Sequence, residues 1–413
     1  MKAKHLHVPR TLREIVAEAL RVAREPVLVV WSAYILLFPI YIFKSGLPQP
    51  GDLLIFALLP FALAHSPRLQ PAARRPLRWL LIFTGYVIVI NLFWSVALNK
   101  WAMNLKHGFF MSPIFYIYNA LLFVTVLLLY RRFGARFLWL TVRLTLLSLF
   151  FQVVISFLYR TGSARDTLLF NSPNQLGYYA LLSACILLLG QRRLGVSSLQ
   201  VTVGLLMCSY LAFLSASKAA LGSLGILVIA GVFNSLRSML IAVAVFGALL
   251  VVSEPLVDAI HRTQSRIQND ENLGFFEERG YDRIVNNPEY WPFGSGEGGY
   301  DRFADTTLIG DHELHSSLGT LFFCYGLAGT LLFGAFLAAI VRGLGLRNTF
   351  LMLPALAYGM THQGLRFTLL WVLLAMLIAL KDIELQRKTA RAELRAVQRR
   401  PLPQPAPTFR RAT

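Results

Sequence analysis

The sequence predicts an all-α polytopic membrane protein of about twelve transmembrane helices with one large, partly helical loop outside the membrane. Three observations carry this. The 413 residues are 56% hydrophobic and only 15% charged, with a mean hydropathy of +0.56, too apolar for a soluble surface of this size. The apolar residues fall into runs long enough to span a bilayer, which needs roughly 20 residues per helix. The acidic residues collect in one polar stretch, Glu254 to Leu314, which holds 13 of the 21 Asp and Glu.

Taken in order, residues 1–25 form a basic N-terminus with no evident cleavable signal, since the first apolar run begins near Pro26. Spans are expected near 26–43, 50–65, 78–98, 109–130, 137–159, 175–190, 198–214, 217–234 and 237–253, then at 315–341, 349–362 and 366–380. The resulting organisation is nine helices over 26–253, the polar loop over 254–314, three helices over 315–380, and a basic tail over 381–413 that ends in the proline-rich PLPQPAP. With both termini inside, 27 of the 40 Lys and Arg lie on the inner side, 12 on the outer, and Arg143 within a span. The short outer loops are the poorer in basic residues, as the positive-inside rule requires. The net charge of +19 is dispersed between apolar runs, which sets orientation and argues against nucleic-acid binding. Cys185, Cys208 and Cys324 all fall within apolar segments, excluding a disulfide framework.

The outer basic residues run against the orientation rule. They include Arg160, Arg165, Lys218, Arg262, Arg266, Arg279, Arg283, Arg302 and Arg366. Each could simply pair with a loop carboxylate, and Arg302 beside Asp301 and Asp305 fits that reading well. As a set on one membrane face they could instead converge on phosphate, whose oxygens match the guanidinium fork. A site at a helical mouth reached from the lipid suggests a lipid-linked phosphate or pyrophosphate. Lys218 opens the helix of SASKAALG, where free backbone amides add to an anion site.

The stretch HSSLGTLFFCYGLAGT (315–330) places His315 where the polar loop meets a span, with Ser316 able to cap the helix. Gly326 and Gly329 are expected on nearly one helix face, permitting close packing. The neighbouring DHELH does not match the H-E-x-x-H zinc pattern, because His312 and His315 are three apart and no third ligand is identifiable, so no metal is expected.

His315-Ser316, nine residues, then Gly326-Leu327-Ala328-Gly329-Thr330 resembles the signature of the O-antigen ligases. RGYDRIVNNPEYWPFGSGEG (Arg279 to Gly298) is similar to the family's arginine-tryptophan-proline-glycine run, and NSPNQLG (171–177), with Asn174, to its Asn-Pro-Asn segment. The family's Ser-Arg step stands here as Ser217-Lys218, which keeps the charge and loses the fork. The resemblance covers roughly 160–370. It implies a GT-C-like fold in a bacterial inner membrane with the site facing the periplasm. It also implies transfer of a polysaccharide from undecaprenyl pyrophosphate to a hydroxyl of the lipid A-core acceptor, without metal or other cofactor. His315 would be the general base and Arg279 a second catalytic residue, with Arg160, Arg165, Lys218, Arg266, Arg283, Arg366 and Asn174 binding pyrophosphate or substrate. O-antigen polymerases and O-linking oligosaccharyltransferases share the superfamily pattern; the nine-residue spacing favours the ligase. A transporter would instead carry ionisable groups at mid-membrane depth, where only Arg143 is expected.

Overall fold

The computed structural model describes residues 20–43, 48–65, 68–103, 107–159, 165–232, 275–305, 307 and 309–398. The span expected at 237–253, and Arg160, Arg262 and Arg266, lie outside the described residues. Among those described there is no strand. The helices are α1 (Pro26–Leu37), α2 (Pro50–His65), α3 (Pro71–Ala97), α4 (Met111–Phe133), α5 (Ala135–Leu158), α6 (Pro173–Leu194), α7 (Ser198–Ser215) and α8 (Lys218–Val232). After these come the short α9 (Phe275–Glu278) and α10 (Asp282–Asn286), then α11 (Ser317–Val341), α12 (Leu346–Thr349), α13 (Leu353–Tyr358) and α14 (Thr368–Gln398).

Local chemistry sets the helix ends. The Ser172 hydroxyl accepts from the Asn174 amide and Pro173 takes the first turn of α6, where its missing N–H costs nothing. At its far end α6 stops at Gly195, in the left-handed region at φ 71°. Ser197 caps α7 through the Gln200 amide. Ser316 caps α11 through the Gly319 amide at 2.9 Å.

Five helices among the described residues are long and apolar enough to cross a membrane: α3, α4, α5, α7 and α11. Shorter apolar helices cover Pro26–Leu37, Pro50–His65 and Lys218–Leu227. The chain is therefore a helical membrane protein by length and composition. The helices that run through the centre are α6 and α14. Residues 176–190 of α6, and 367–380 leading into and through α14, are buried without interruption, as expected of helices apolar on every face. Around them, α6 packs against α5, α7, α8, α13 and α14, while α14 packs against α3 and α4. On α3 the residues Leu80, Phe83 and Val87 face inward, whereas Leu81, Val89, Phe93 and Val96 are exposed. An apolar outer face of that kind suits lipid.

One expected span is different in the structure. Residues 349–362 do not form a continuous helix: α12 and α13 are short, separated by turns, and the chain from Gly359 to Phe367 is irregular. Pro354 starts a new helix instead of extending the old one, and the glycines at 359 and 364 bring backbone against Ser317 and Tyr178. The span expected at 366–380 is the buried first part of α14, which runs on to Gln398.

Hydrogen bonds gather many helix ends at one end of the bundle. Tyr41 beyond α1 donates from its amide to Leu169 O, Asp166 before α6 to Leu214 O in α7, and Ser317 in α11 to Gly359 O after α13. The residues around His315 lie at this end.

Candidate functional site

The motif helix α11 is broken. Gly326 has φ 64° and ψ −171°, outside the helical region, in backbone space open only to glycine. A strap formed by Trp291 to Glu297 threads the break. Ser295 and Gly296 donate from their amides to Phe323 O and Cys324 O, and the Leu327 and Ala328 amides donate to Trp291 O and Pro292 O. These four bonds satisfy backbone groups that the break would otherwise leave open. Thr330 returns its hydroxyl to Gly326 O at 2.8 Å. The expected arrangement, with Gly326 and Gly329 together on one face of a regular helix, is therefore corrected. Gly326 is the break itself, and a Cβ there would meet Gly294 N at 2.6 Å. The outer side of the strap is fixed to α3, where Trp94 Nε1 donates to Gly294 O at 3.0 Å and Tyr86 Oη to Phe293 O at 2.6 Å.

His315 projects from the residue before the Ser316 cap and is exposed. Its backbone neighbours are firmly held. Tyr281 Oη lies 2.7 Å from Ser316 Oγ and donates to Met360 O at 2.6 Å. The Ser317 Oγ accepts from the Gly364 amide at 2.7 Å and the Ser317 amide donates to Gly359 O at 2.7 Å. Desolvation by the surrounding loops pushes the His315 pKa below the usual 6.5; the Glu313 carboxylate opposes this, and the Arg279 and His312 charges reinforce it. Near neutral pH the imidazole is uncharged and can accept a proton.

Arg279 is near enough for its charge to act on the ring. Its Nη1 is 3.4 Å from His362 Nδ1, its Nη2 is 3.5 Å from Glu278, and its Nε is buried without a hydrogen-bond partner. Arg165 and Asn174, both among the expected pyrophosphate or substrate ligands, are in contact: Arg165 Nη2 donates to Asn174 Oδ1 at 2.7 Å and its Nε to Ser215 O at 3.1 Å. Tyr358 joins the two groups. Its hydroxyl donates to Asn174 O at 2.8 Å, its ring lies 4.9 Å from that of His362, and both Arg165 and Arg279 bear on it electrostatically. Lys218 opens α8 three residues after Ser215. The α8 helix packs against α6, α7 and α13, which brings Lys218 to the same end. The site is therefore assembled from the starts of α6, α8 and α11, the end of α13, and the loop before α10.

Three expected arginines have other surroundings. Arg283 is fully buried, donating to Gly310 O at 2.8 Å and His312 O at 2.9 Å and lying over the rings of Tyr300 and Phe303; burial pushes its pKa down. It shapes the loop that carries the histidines and has no surface left for a ligand. Arg366 pairs with both Glu297 and Glu313, so its charge is already matched. Arg302, expected to pair with Asp301 and Asp305, instead donates to Ser295 O and lies among Trp94, Phe109, Tyr290 and Phe303. Asp301 is taken by Lys100.

Sequence reasoning passed over His362, Tyr358 and Glu297. His362 stands four residues before Arg366 in THQGLRF (361–367) and could have been weighed with it, being a further histidine at a helix-poor turn. Tyr358 and Glu297 gave no signal beyond their residue type. Among the described residues no group of three His, Cys, Asp or Glu side chains could hold a metal ion. Cys185, Cys208 and Cys324 are buried free thiols. No family model matches the chain, and no curated protein matches it significantly.

The assembled groups offer an exposed proton acceptor within electrostatic reach of a guanidinium whose Nε has no partner, with a second cationic group at the same end. Such a set can deprotonate a hydroxyl and stabilise a departing anion.

Proposed function

We propose that this end of the bundle faces the periplasm and carries a glycosyltransferase site that moves a polysaccharide from undecaprenyl pyrophosphate to a hydroxyl of a lipid A-core acceptor, as an O-antigen ligase does. The observation that carries the reading is an exposed, uncharged His315 within electrostatic reach of the incompletely partnered Arg279, at the end of a membrane bundle where Arg165, Asn174 and Lys218 also gather. The motif spacing His315 to Gly329 supports the same family.

In the reaction, the acceptor oxygen attacks the anomeric carbon on the face opposite the pyrophosphate. A carbon–oxygen bond to the acceptor forms as the bond to pyrophosphate breaks, and the anomeric configuration inverts. The hydroxyl proton passes to His315, whose lowered pKa keeps it in the accepting form at neutral pH. Negative charge grows on the leaving pyrophosphate, where Arg279, with Arg165 and Lys218, would match it in place of a divalent cation. Arg283 and Arg366 are given supporting roles, since both are committed inside the protein. The lipid-linked donor would enter from the bilayer along with the lipid-anchored acceptor, so membrane lipids are partners, and nucleic acid has no part.

Purified protein supplied with lipid-linked polysaccharide and core-lipid acceptor should form the joined product in the presence of a chelator. Failure with fully active substrates would overturn the assignment. A polymerase of the same superfamily would extend the polymer on the lipid carrier in that assay, and an O-linking enzyme would use a protein acceptor. In cells lacking the chain, a ligase leaves polymer on the carrier and bare lipopolysaccharide, whereas loss of a polymerase leaves one repeat unit on the core.

A further inference from the structure

Glu297, Arg366 and Glu313 form a bridge that the proposed chemistry does not use. Glu297 is fully buried; its amide donates to Asn91 Oδ1 at 2.9 Å and its carboxylate accepts from Tyr325 Oη. Tyr325 is the residue before the break in α11. Arg366 Nη2 reaches the other oxygen of Glu297, while Arg366 Nη1 donates to Glu313 Oε2 at 2.7 Å. The guanidinium also lies 5.2 Å from the centre of the Phe115 ring. One guanidinium therefore joins the strap, the start of α14 and the loop two residues before His315. A buried charge pair of this kind is costly to assemble, and two carboxylates on one arginine are more than neutralisation of Arg366 requires.

We propose that Glu313, clamped by Arg366, is a positioning residue for His315: the Glu297–Arg366–Glu313 bridge fixes the loop from which the imidazole projects and ties it to the strap across the broken helix. The inference deepens the proposed function, because it assigns the device to the residue that accepts the proton. Among the described residues, the charged and titratable groups that bear on His315 are Glu313, Arg279, His312 and Glu278, with Arg366 acting through Glu313 and His362 through Arg279. Among them, Glu313 is the first of the charges acting on the ring. It is only one-third exposed, and Arg366 determines how much of its charge the ring feels.

Carbethoxylation of His315 by diethyl pyrocarbonate, followed by mass spectrometry between pH 5 and 8 on the purified full chain, reads the ring directly, whether or not the protein transfers sugar. Glu313→Gln removes a charge that favours the protonated ring, so the midpoint should move to lower pH and the rate on the acid side should rise about two- to five-fold. Arg366→Gln leaves Glu313 unmatched beside the ring, so the midpoint should move the opposite way. General loosening of the loop would carry both variants upward toward the ordinary histidine value, and the Glu313→Gln shift alone separates the two should Arg366→Gln fail to fold. In the transfer assay Glu313→Gln should lower kcat several-fold with the donor KM little changed, and its acid limb should follow the chemical midpoint. An unchanged or raised midpoint in Glu313→Gln overturns the positioning role. A lowered midpoint, in a protein whose His315→Ala variant still transfers sugar, would keep the linkage and remove the catalytic reading.

Discussion

Gly326→Ala tests the broken helix. Alanine there must hold φ near 64° with ψ near −171°, a region essentially restricted to glycine, which costs about 1–3 kcal/mol. The added Cβ would lie 2.6 Å from Gly294 N, 2.6 Å from Phe293 C and 2.7 Å from Phe293 N. All three are strap backbone atoms, so no side-chain rotation can relieve the contact, and ordinary separation requires the strap to withdraw by about 1 Å. Withdrawal strains the four amide–carbonyl bonds across the break, each contributing about 0.5–1.5 kcal/mol net. Losing half of them together with the backbone strain destabilises this region by about 2–6 kcal/mol. The measurement is thermal unfolding in detergent, with limited proteolysis of the 291–297 strap in parallel. The variant should melt several degrees lower and be cut at the strap far faster than wild type. Equal melting and equal cleavage would refute the strap-through-helix arrangement.

Other outcomes follow from the same geometry. His315→Ala should remain in the membrane and lose about 100- to 10,000-fold in transfer, the usual contribution of a general base, as judged by product formation per mole of folded protein. With the His315 pKa below 6.5, wild-type transfer should be level from about pH 7 upward and fall only under more acid conditions, because protonation removes the acceptor; a rise in activity on acidification would contradict the role. Arg279→Ala should be severely impaired and Arg279→Lys partly active, since lysine supplies charge without the fork; donor titration of both variants checks it. Arg283→Ala should lower yield and stability, not donor affinity, because its guanidinium holds the Gly310 and His312 carbonyls, whereas Arg165→Ala should weaken donor binding in a protein that still folds.

The sequence made His315 and the glycine motif visible because their chemistry depends on spacing along one segment. Asn174 and Arg165 were each singled out, one by the NSPNQLG resemblance and one by its charge on the outer side, but their hydrogen bond is seen only in the structure. The break at Gly326 was not legible: an isolated glycine in an apolar helical run costs only about 1 kcal/mol, and the cause of the break, the strap, lies some 30 residues earlier. Charge alone could not say that Lys100 takes Asp301 while Arg302 turns into a ring of aromatics, since both partners are chosen by packing over long sequence separation. For the same reason Arg283 and Arg366 read as outward cations until their carbonyl and carboxylate partners are seen. Residues 349–362 read as a span because apolar content outweighed Pro354, yet this segment folds as two short helical pieces whose following loop supplies His362 and the carbonyls that hold Ser317.

The most direct test reconstitutes wild-type protein and His315→Gln in liposomes with the polyprenyl-pyrophosphate donor and the core-lipid acceptor, then follows joined product in a single turnover. The proposed mechanism predicts rapid transfer by wild type and, for His315→Gln, donor bound normally but a transfer step slowed by at least about 100-fold. Equal transfer rates in the two proteins would contradict it.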